Sequence, residues 1–316
     1  MSYREPEFLP WDGRRVPITF VGGYLGAGKT TVINDLLAQA DRPIAVLVND
    51  AGAVNIDARL IRKRHGDTIE LTDGCICCGS IDDVGAAFDL LRSRAEPPDH
   101  VVVELSGVAE PQRMLPWGRS AGFMLDGVVV VVAADQLLEG AVPAWVTPYL
   151  VEQIQVADLL ILTKTDLLDD SGNATASQRL NDLAPGTPVL LADRNAGASG
   201  VAGRFLSLGG RRPGGPTDLS APSLFDAHET HTLAFPSPVT TADLASWLSE
   251  LPNLVQGTPV RAKGLVDTTD SGLVLVQVVG TRHELERVPE PERQAPTDLV
   301  VITLRPEYSA GRNRPR

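Results

Sequence analysis

Short, continuously apolar runs alternate with helical stretches from residue 16 onward. The runs, at 18–21, 44–48, 100–103, 127–134, 159–163 and 189–192, are rich in Val, Ile and Leu and lack polar alternation. A strand with one wet face alternates, whereas a strand covered on both faces need not. The pattern therefore predicts a mostly parallel sheet with helices on both sides. Helix candidates fall between the runs, at 29–40, 81–95, 150–157 and 176–183, as a doubly covered α/β sheet requires. The pattern changes near Asn195. Residues 195–225 carry GASG, GG, RRPGGP and SAP, the composition of a loop or linker, with one short helix fitting 201–208. Beyond it, a strand at 232–235, a helix at 241–251 opened by a threonine N-cap, and strands at 260–266, 273–279 and 298–304 predict a small α+β domain.

Length agrees with two units. The chain has 316 residues, and domains run to about 150 residues each. An apolar content of 43% with 22% charged residues is that of a globular protein, too apolar for a disordered one. The formal net charge of -12 argues against a nucleic-acid partner, since gripping phosphate backbones needs excess cations. It leaves a single nucleotide in a local pocket open. The longest purely apolar run, 128–134, is far short of the roughly 20 residues a bilayer needs, which predicts no membrane partner. The N-terminus is charged and broken by proline, unlike a secretion signal, and the expectation is a cytoplasmic protein.

Two counts add chemistry. The only cysteines are Cys75, Cys77 and Cys78, an odd and crowded set that does not make a disulfide framework. Only four of the 28 basic residues are lysines, Lys29, Lys63, Lys164 and Lys263, so each is a candidate for a place that needs a compact ammonium.

The stretch Gly23-Tyr-Leu-Gly-Ala-Gly-Lys-Thr30 fits G-x-x-x-x-G-K-[ST] between a predicted strand and a predicted helix. Glycines let successive backbone N–H groups face phosphate oxygens, and a helix N-terminus adds positive potential. Gly23, Gly26, Ala27, Gly28, Lys29, Thr30 and Thr31 are the expected phosphate contacts, Lys29 reaching the β and γ phosphates and Thr30 holding Mg²⁺. An apolar strand ends at Glu104 and runs into Leu-Ser-Gly107. An acid there holds Mg²⁺ through water, and the Gly107 N–H can approach a γ-phosphate. Lys29 and Glu104 are thus the candidate catalytic residues. At the end of another strand, Thr163-Lys-Thr-Asp166 offers a carboxylate that can accept both the N1 and N2 hydrogens of guanine, while Lys164 lays its stem along the base. Thr163 stands where such a motif usually carries Asn.

Gly74-Cys-Ile-Cys-Cys-Gly79 places three thiols within four residues. Cys75, Cys77 and Cys78 suit one soft or borderline cation such as Zn²⁺, Co²⁺ or Cu⁺, with Asp73, water or a partner's side chain as fourth ligand. Three thiolates leave a tetrahedral ion one position short, which fits transfer better than permanent storage. A redox role for the thiols is the alternative.

These elements in this order resemble the CobW family of P-loop GTPases, the CobW/HypB/UreG group of metal-chaperone type. The carrying strings are G-G-Y-L-G-A-G-K-T-T, G-C-I-C-C (74–78), E-L-S-G-V-A-E-P (104–111) and T-K-T-D (163–166). V-N-D-A-G-A-V-N-I-D (48–57), E-Q-I-Q-V-A-D (152–158) and R-A-K-G (261–264) support them. The resemblance implies a SIMIBI-type P-loop NTPase fold, with an N-terminal extension over 1–15, the GTPase domain over 16–208, a linker over 209–227, a CobW C-terminal-like domain over 228–305 and a tail over 306–316. It implies GTP or GDP with Mg²⁺ as cofactor, and Zn²⁺ or Co²⁺ as cargo for a client metalloprotein, and leaves a homodimer open. Family members usually read N-E-[FY]-G where this chain has Asn49-Asp50-Ala51-Gly52, so Asp50 is the third candidate Mg²⁺ residue, one methylene short. The His-rich tract of many relatives is absent, and His228 and His231 are expected to be an exposed surface pair. Two other readings stay open on sequence: a client-specific scaffold or activator, and a P-loop small-molecule kinase or ATPase.

Overall fold

A computed structural model describes residues 10–40, 42–48, 68–70, 81–142, 146–192, 205, 208, 228–235, 239–279, 282–288 and 298–306. Its first sheet has seven strands: β1 (Val16–Gly22), β2 (Ile44–Val48), β3 (Thr68–Glu70), β4 (His100–Glu104), β5 (Phe123–Ala133), β6 (Leu159–Thr163) and β7 (Val189–Leu191). Their order across the sheet is β3-β2-β4-β1-β5-β6-β7, and every pairing is parallel. The helices beside it are α1 (Lys29–Gln39), α2 (Ile81–Arg92), the single turn α3 (Pro111–Met114), α4 (Thr147–Val156) and α5 (Asp170–Leu183).

Both faces of this sheet are covered, which is why its strands are apolar without alternation. On one face Val21, Val46, Val102, Val129 and Ile161 pack with Val32, Ile33, Leu36 and Leu37 of α1 and with Phe205. On the other, Ile18, Phe20, Leu47 and Val103 pack with Phe88 and Leu91 of α2. Further along that second face, Val130, Val132 and Leu160 meet Leu150 and Ile154 of α4 and Ala176 and Leu180 of α5. The α/β reading of the sequence holds. Its boundaries differ at β5, which begins at Phe123, and at α5, which begins at Asp170 behind the N-cap Asp169.

The second sheet is antiparallel, in the order β11-β10-β9-β12-β8. Its strands are β8 (His228–Leu233), β9 (Thr258–Thr268), β10 (Gly272–Val279), β11 (Arg282–Arg287) and β12 (Leu299–Leu304), with α6 (Thr241–Ser249) and α7 (Leu251–Leu254) on one face. Leu244, Leu248 and Leu251 of the helices pack on Ala262, Val276 and Val301 there. From the opposite face Ile302, with Val260 beside it, joins the apolar cluster that contains Tyr24, Leu25 and Val108 of the first unit. Thr240 caps α6, accepting from the Asp243 N–H at 3.1 Å.

At the N-terminal end of β4, His100 is fully buried with its Nε2 2.8 Å from Thr19 Oγ1. Burial pushes its pKa from 6.5 down to about 4, while the Asp126 carboxylate pulls it up and Arg42 pushes it down further. Between those values the unfolded chain holds a proton that the folded chain lacks. Stability is therefore complete above pH 6.5 and falls as pH drops toward 4, by on the order of 3 kcal/mol. Urea midpoints measured across that window should fall with acid, and the dependence should flatten in His100→Gln.

Candidate functional site

The site is built at the C-terminal ends of the central strands, where parallel α/β sheets place ligands. β1 ends at Gly22, and the loop from Gly23 to Gly28 wraps before α1 starts at Lys29. Gly23 has φ 134°, and a Cβ there would lie 2.2 Å from the Val131 carbonyl oxygen, so no other residue fits this turn. The Ala27 N–H donates to the Tyr24 carbonyl at 3.1 Å, tightening the loop. Gly28, in the left-handed region, is the N-cap of α1 and has no side chain with which to cap it. The helix presents its N-terminal N–H groups to the loop's concave side, a site suited to phosphate.

Lys29 is 5% exposed and donates through Nζ to the Gly23 carbonyl at 2.9 Å, which draws the ammonium across the loop. Thr30 donates from Oγ1 to Glu104 Oε1 at 3.0 Å. Glu104 closes β4 in register with Val21 of β1 and is 2% exposed. A hydroxyl and a carboxylate side by side at the phosphate loop are the hard oxygen donors that Mg²⁺ takes. The loop after β4 touches the P-loop directly: a Cβ on Gly107 would meet the Leu25 backbone at 2.8 Å, so only glycine permits this approach. Thr31 is exposed on the first turn of α1.

At the end of β6, Thr163 donates to the Ala27 carbonyl at 2.7 Å and lies 3.3 Å from the Val132 carbonyl. Its hydroxyl thus braces the phosphate loop, whereas the sequence motif suggested a base contact. Lys164 is held at φ 57°, ψ 31°, the left-handed region, a conformation that costs about 1 kcal/mol or more in a non-glycine residue. That turn leads into a 3-10 segment, Thr165–Leu167, on which Asp166 is exposed. Asn173 fixes the turn from α5, donating to the Thr165 carbonyl at 2.9 Å.

Four supporting side chains have no role assigned to them by the sequence. Gln136, in the 3-10 segment Ala134–Leu137 after β5, donates to the Leu25 carbonyl at 2.8 Å. Gln153, buried on α4, donates to the Ala109 carbonyl at 2.7 Å and so fixes the loop that follows Gly107. In that same loop Glu110 pairs with Arg113 at 2.6 Å. The E-Q-I-Q-V-A-D and E-L-S-G-V-A-E-P strings contain Gln153 and Glu110 without revealing what they hold, and Gln136 and Arg113 gave no signal. His228 and His231 are corrected: His228 is 3% exposed, with its ring 6.4 Å from that of Tyr24, and His231 lies half-buried 2.9 Å from Thr303 Oγ1. Three residues apart on one strand, they point to opposite faces of the second sheet, His228 toward Tyr24 of the first unit and His231 toward Thr303 of β12, and both faces are covered. Asp50 and the cysteines Cys75, Cys77 and Cys78 lie outside the described residues. Among the described residues no group of three His, Cys, Asp or Glu side chains is placed to hold a metal ion, and no helix is long and apolar enough to cross a membrane.

Residues 17–191 match the CobW/HypB/UreG nucleotide-binding domain, and residues 228–312 match the cobalamin synthesis protein cobW C-terminal domain. The chain is 29% identical to the zinc chaperone CobW of a Sinorhizobium species, over 92% of this chain and 93% of that one. It is 32% identical to the zinc chaperone YjiA of Escherichia coli, over 58% of this chain and 60% of that one. With the zinc-regulated GTPase metalloprotein activator 1 of Dictyostelium discoideum it shares 25% identity, over 56% of this chain and 45% of that one. Since the nucleotide-binding domain alone accounts for more than half of the residues, the chain belongs to the CobW/HypB/UreG family.

Proposed function

We propose that this chain binds GTP with Mg²⁺ between its P-loop and the T-K-T-D turn, hydrolyses it to GDP, and couples that cycle to holding and handing over Zn²⁺ at Cys75, Cys77 and Cys78. The chain is a GTPase, as relatives named for that activity support. The observation that carries the nucleotide reading is the Thr163–Ala27 hydrogen bond, which ties the base-reading turn to the phosphate loop and makes one continuous edge of them. Hydrolysis breaks the bond from the γ-phosphorus to the β–γ bridging oxygen as a water oxygen bonds to that phosphorus. Lys29 and the N–H groups at the start of α1 stabilise the charge that gathers on the phosphoryl oxygens. Thr30 and Glu104 would hold Mg²⁺, which when bound neutralises charge across the β and γ oxygens. Gly107 senses the γ-phosphate through its N–H, and its loop would relax once that phosphate leaves.

The cargo reading rests on the C-x-C-C string and on relatives named as zinc chaperones. The recipient is a client metalloprotein, in keeping with the name of the Dictyostelium relative. In sequence the thiols lie between Asp50 and Gly107, the two segments expected to respond to the γ-phosphate. Delivery requires that the two nucleotide states differ in metal affinity, because a ligand with equal affinity for both shifts nothing. Titrating Zn²⁺ into the reduced protein should give affinities at least about fivefold apart with a GTP analogue and with GDP. Cys77→Ala should lose the Zn²⁺ affinity while binding GTP as before. Equal affinities in the two states would sink the delivery cycle, and unchanged Zn²⁺ binding in Cys77→Ala would sink the ligand assignment.

A further inference from the structure

The C-terminal unit closes over the phosphate loop at three successive positions. Tyr24 is buried against the ring of His228, and burial pushes its hydroxyl pKa up. Leu25 shares an apolar cluster with Ile302 of β12 and with Val260 of β9. Gly26 faces Val279, the last residue of β10: a Cβ on Gly26 would lie 2.7 Å from Val279 Cγ2 and 2.8 Å from Cγ1. Three residues later, at the start of β11, Arg282 forms an ion pair with Asp135. Asp135 is 17% exposed and immediately precedes Gln136, whose amide holds the Leu25 carbonyl.

We propose that the last residue of β10 and the first of β11 are a working part of the nucleotide site, with Arg282 and Val279 as positioning residues for the phosphate loop. The proposal rests on the GTP reading above. Asp135 stands at the end of β5, next to a loop that must accept a polyanion. A half-buried carboxylate there repels phosphate unless a cation neutralises it. Arg282 supplies that cation from the other unit, and its grip on Asp135 also keeps Gln136 on the Leu25 carbonyl. Val279 fills the space that the missing Gly26 side chain leaves, so the loop keeps its shape without a bound nucleotide. Linkage makes the effect reciprocal: if docking of Val279 and Arg282 favours nucleotide, nucleotide favours their docking by the same factor. The C-terminal unit then reports the loading state of the P-loop to whatever it contacts.

The test uses the full chain. Arg282→Ala should raise the dissociation constant for a GTP analogue about five- to tenfold, more at low salt than at high. Adding Asp135→Asn to Arg282→Ala removes the charge that Arg282 neutralises and should restore most of the affinity. A merely structural loss would not be rescued that way. Amide exchange over 272–279 and 282–287 should slow on GTP-analogue binding in the wild type and not in Arg282→Ala. Unchanged affinity in Arg282→Ala overturns the proposal, as does failure of Asp135→Asn to restore it. A wild-type chain that binds GTP no better than Lys29→Ala would instead overturn the nucleotide reading, so the two failures are distinct.

Discussion

Replacing Lys29 with alanine should weaken GTP binding by at least about 100-fold and bring phosphate release to background. The side chain is a buried ammonium that donates to the Gly23 carbonyl, 2.9 Å away, which draws it across the loop. To a phosphate entering the loop, an ammonium held there is both hydrogen-bond donor and counter-charge. Single preorganised donors in such sites are worth about 10² to 10³ in rate, and this one also carries a full charge. Arginine should not substitute. Its planar fork is larger than an ammonium and cannot pass the Gly23 carbonyl in a space that leaves Lys29 5% exposed. The fold should survive both changes, because β1 and α1 are held by Val21, Val32, Ile33 and Leu36, not by the lysine. Titration with a fluorescent GTP analogue, together with a phosphate-release assay, measures the effect. An affinity within threefold of wild type in Lys29→Ala would remove this loop from the site.

The central half of the first sheet was legible because its physics is local. A strand buried on both faces must be apolar throughout, and β1, β2, β4 and β6 read so. The P-loop was legible because Gly23 tolerates no side chain against Val131, a constraint that leaves a glycine in the sequence. What escaped are strands whose existence depends on a neighbour. β11 reads R-H-E-L-E-R, with five of six residues exposed, and becomes a strand only by pairing with β10 at the sheet edge. β8 was expected four residues too late, at 232–235, where Leu233 and Phe235 are apolar. It is an edge strand with Glu229, Thr230 and Thr232 exposed, and its register follows from β12. The three residues of β3 carry too little pattern to mark a strand.

The same division applies to the site. Glycines, Lys29, Thr30 and Glu104 carry their chemistry in their residue types and spacing. Gln136 and Gln153 do not: each holds a carbonyl far away in sequence, and a glutamine on a helix or turn is ordinarily a solvated residue. Thr163 shows how a departure from a motif can be absorbed. Its hydroxyl is shorter than the amide that usually stands there, yet it reaches Ala27 because β6 ends close behind the loop. The hydroxyl braces the loop, and on the GTP reading proposed above base recognition falls to Asp166 and Lys164. That concentration of specificity on one carboxylate sets up the second large effect.

Asp166→Asn should lower GTP affinity about 100-fold and raise affinity for xanthosine triphosphate, inverting the preference. Guanine presents two adjacent donors, the N1 hydrogen and the N2 amine, and a carboxylate accepts both through its two oxygens. Asparagine offers one acceptor and one donor, so one of its groups must face a guanine hydrogen with a hydrogen of its own. Xanthine keeps the N1 donor but has an oxygen in place of the amine, which is the pattern an amide side chain matches. A bidentate base contact is worth about 1–3 kcal/mol, and 2.7 kcal/mol corresponds to roughly 100-fold. Asp166 is exposed, on a turn that Asn173 holds through backbone carbonyls. Substitution there should therefore leave the unfolding free energy within about 0.5 kcal/mol of wild type. Competition of GTP, xanthosine triphosphate and ATP against a fluorescent GTP analogue reads the preference directly. Wild type should reject ATP, whose base lacks the donor pair, and Asp166→Asn should do so as well. If the ratio of GTP to xanthosine triphosphate affinity stays at its wild-type value, Asp166 does not read the base, and the specificity of this site lies in the backbone of the turn instead.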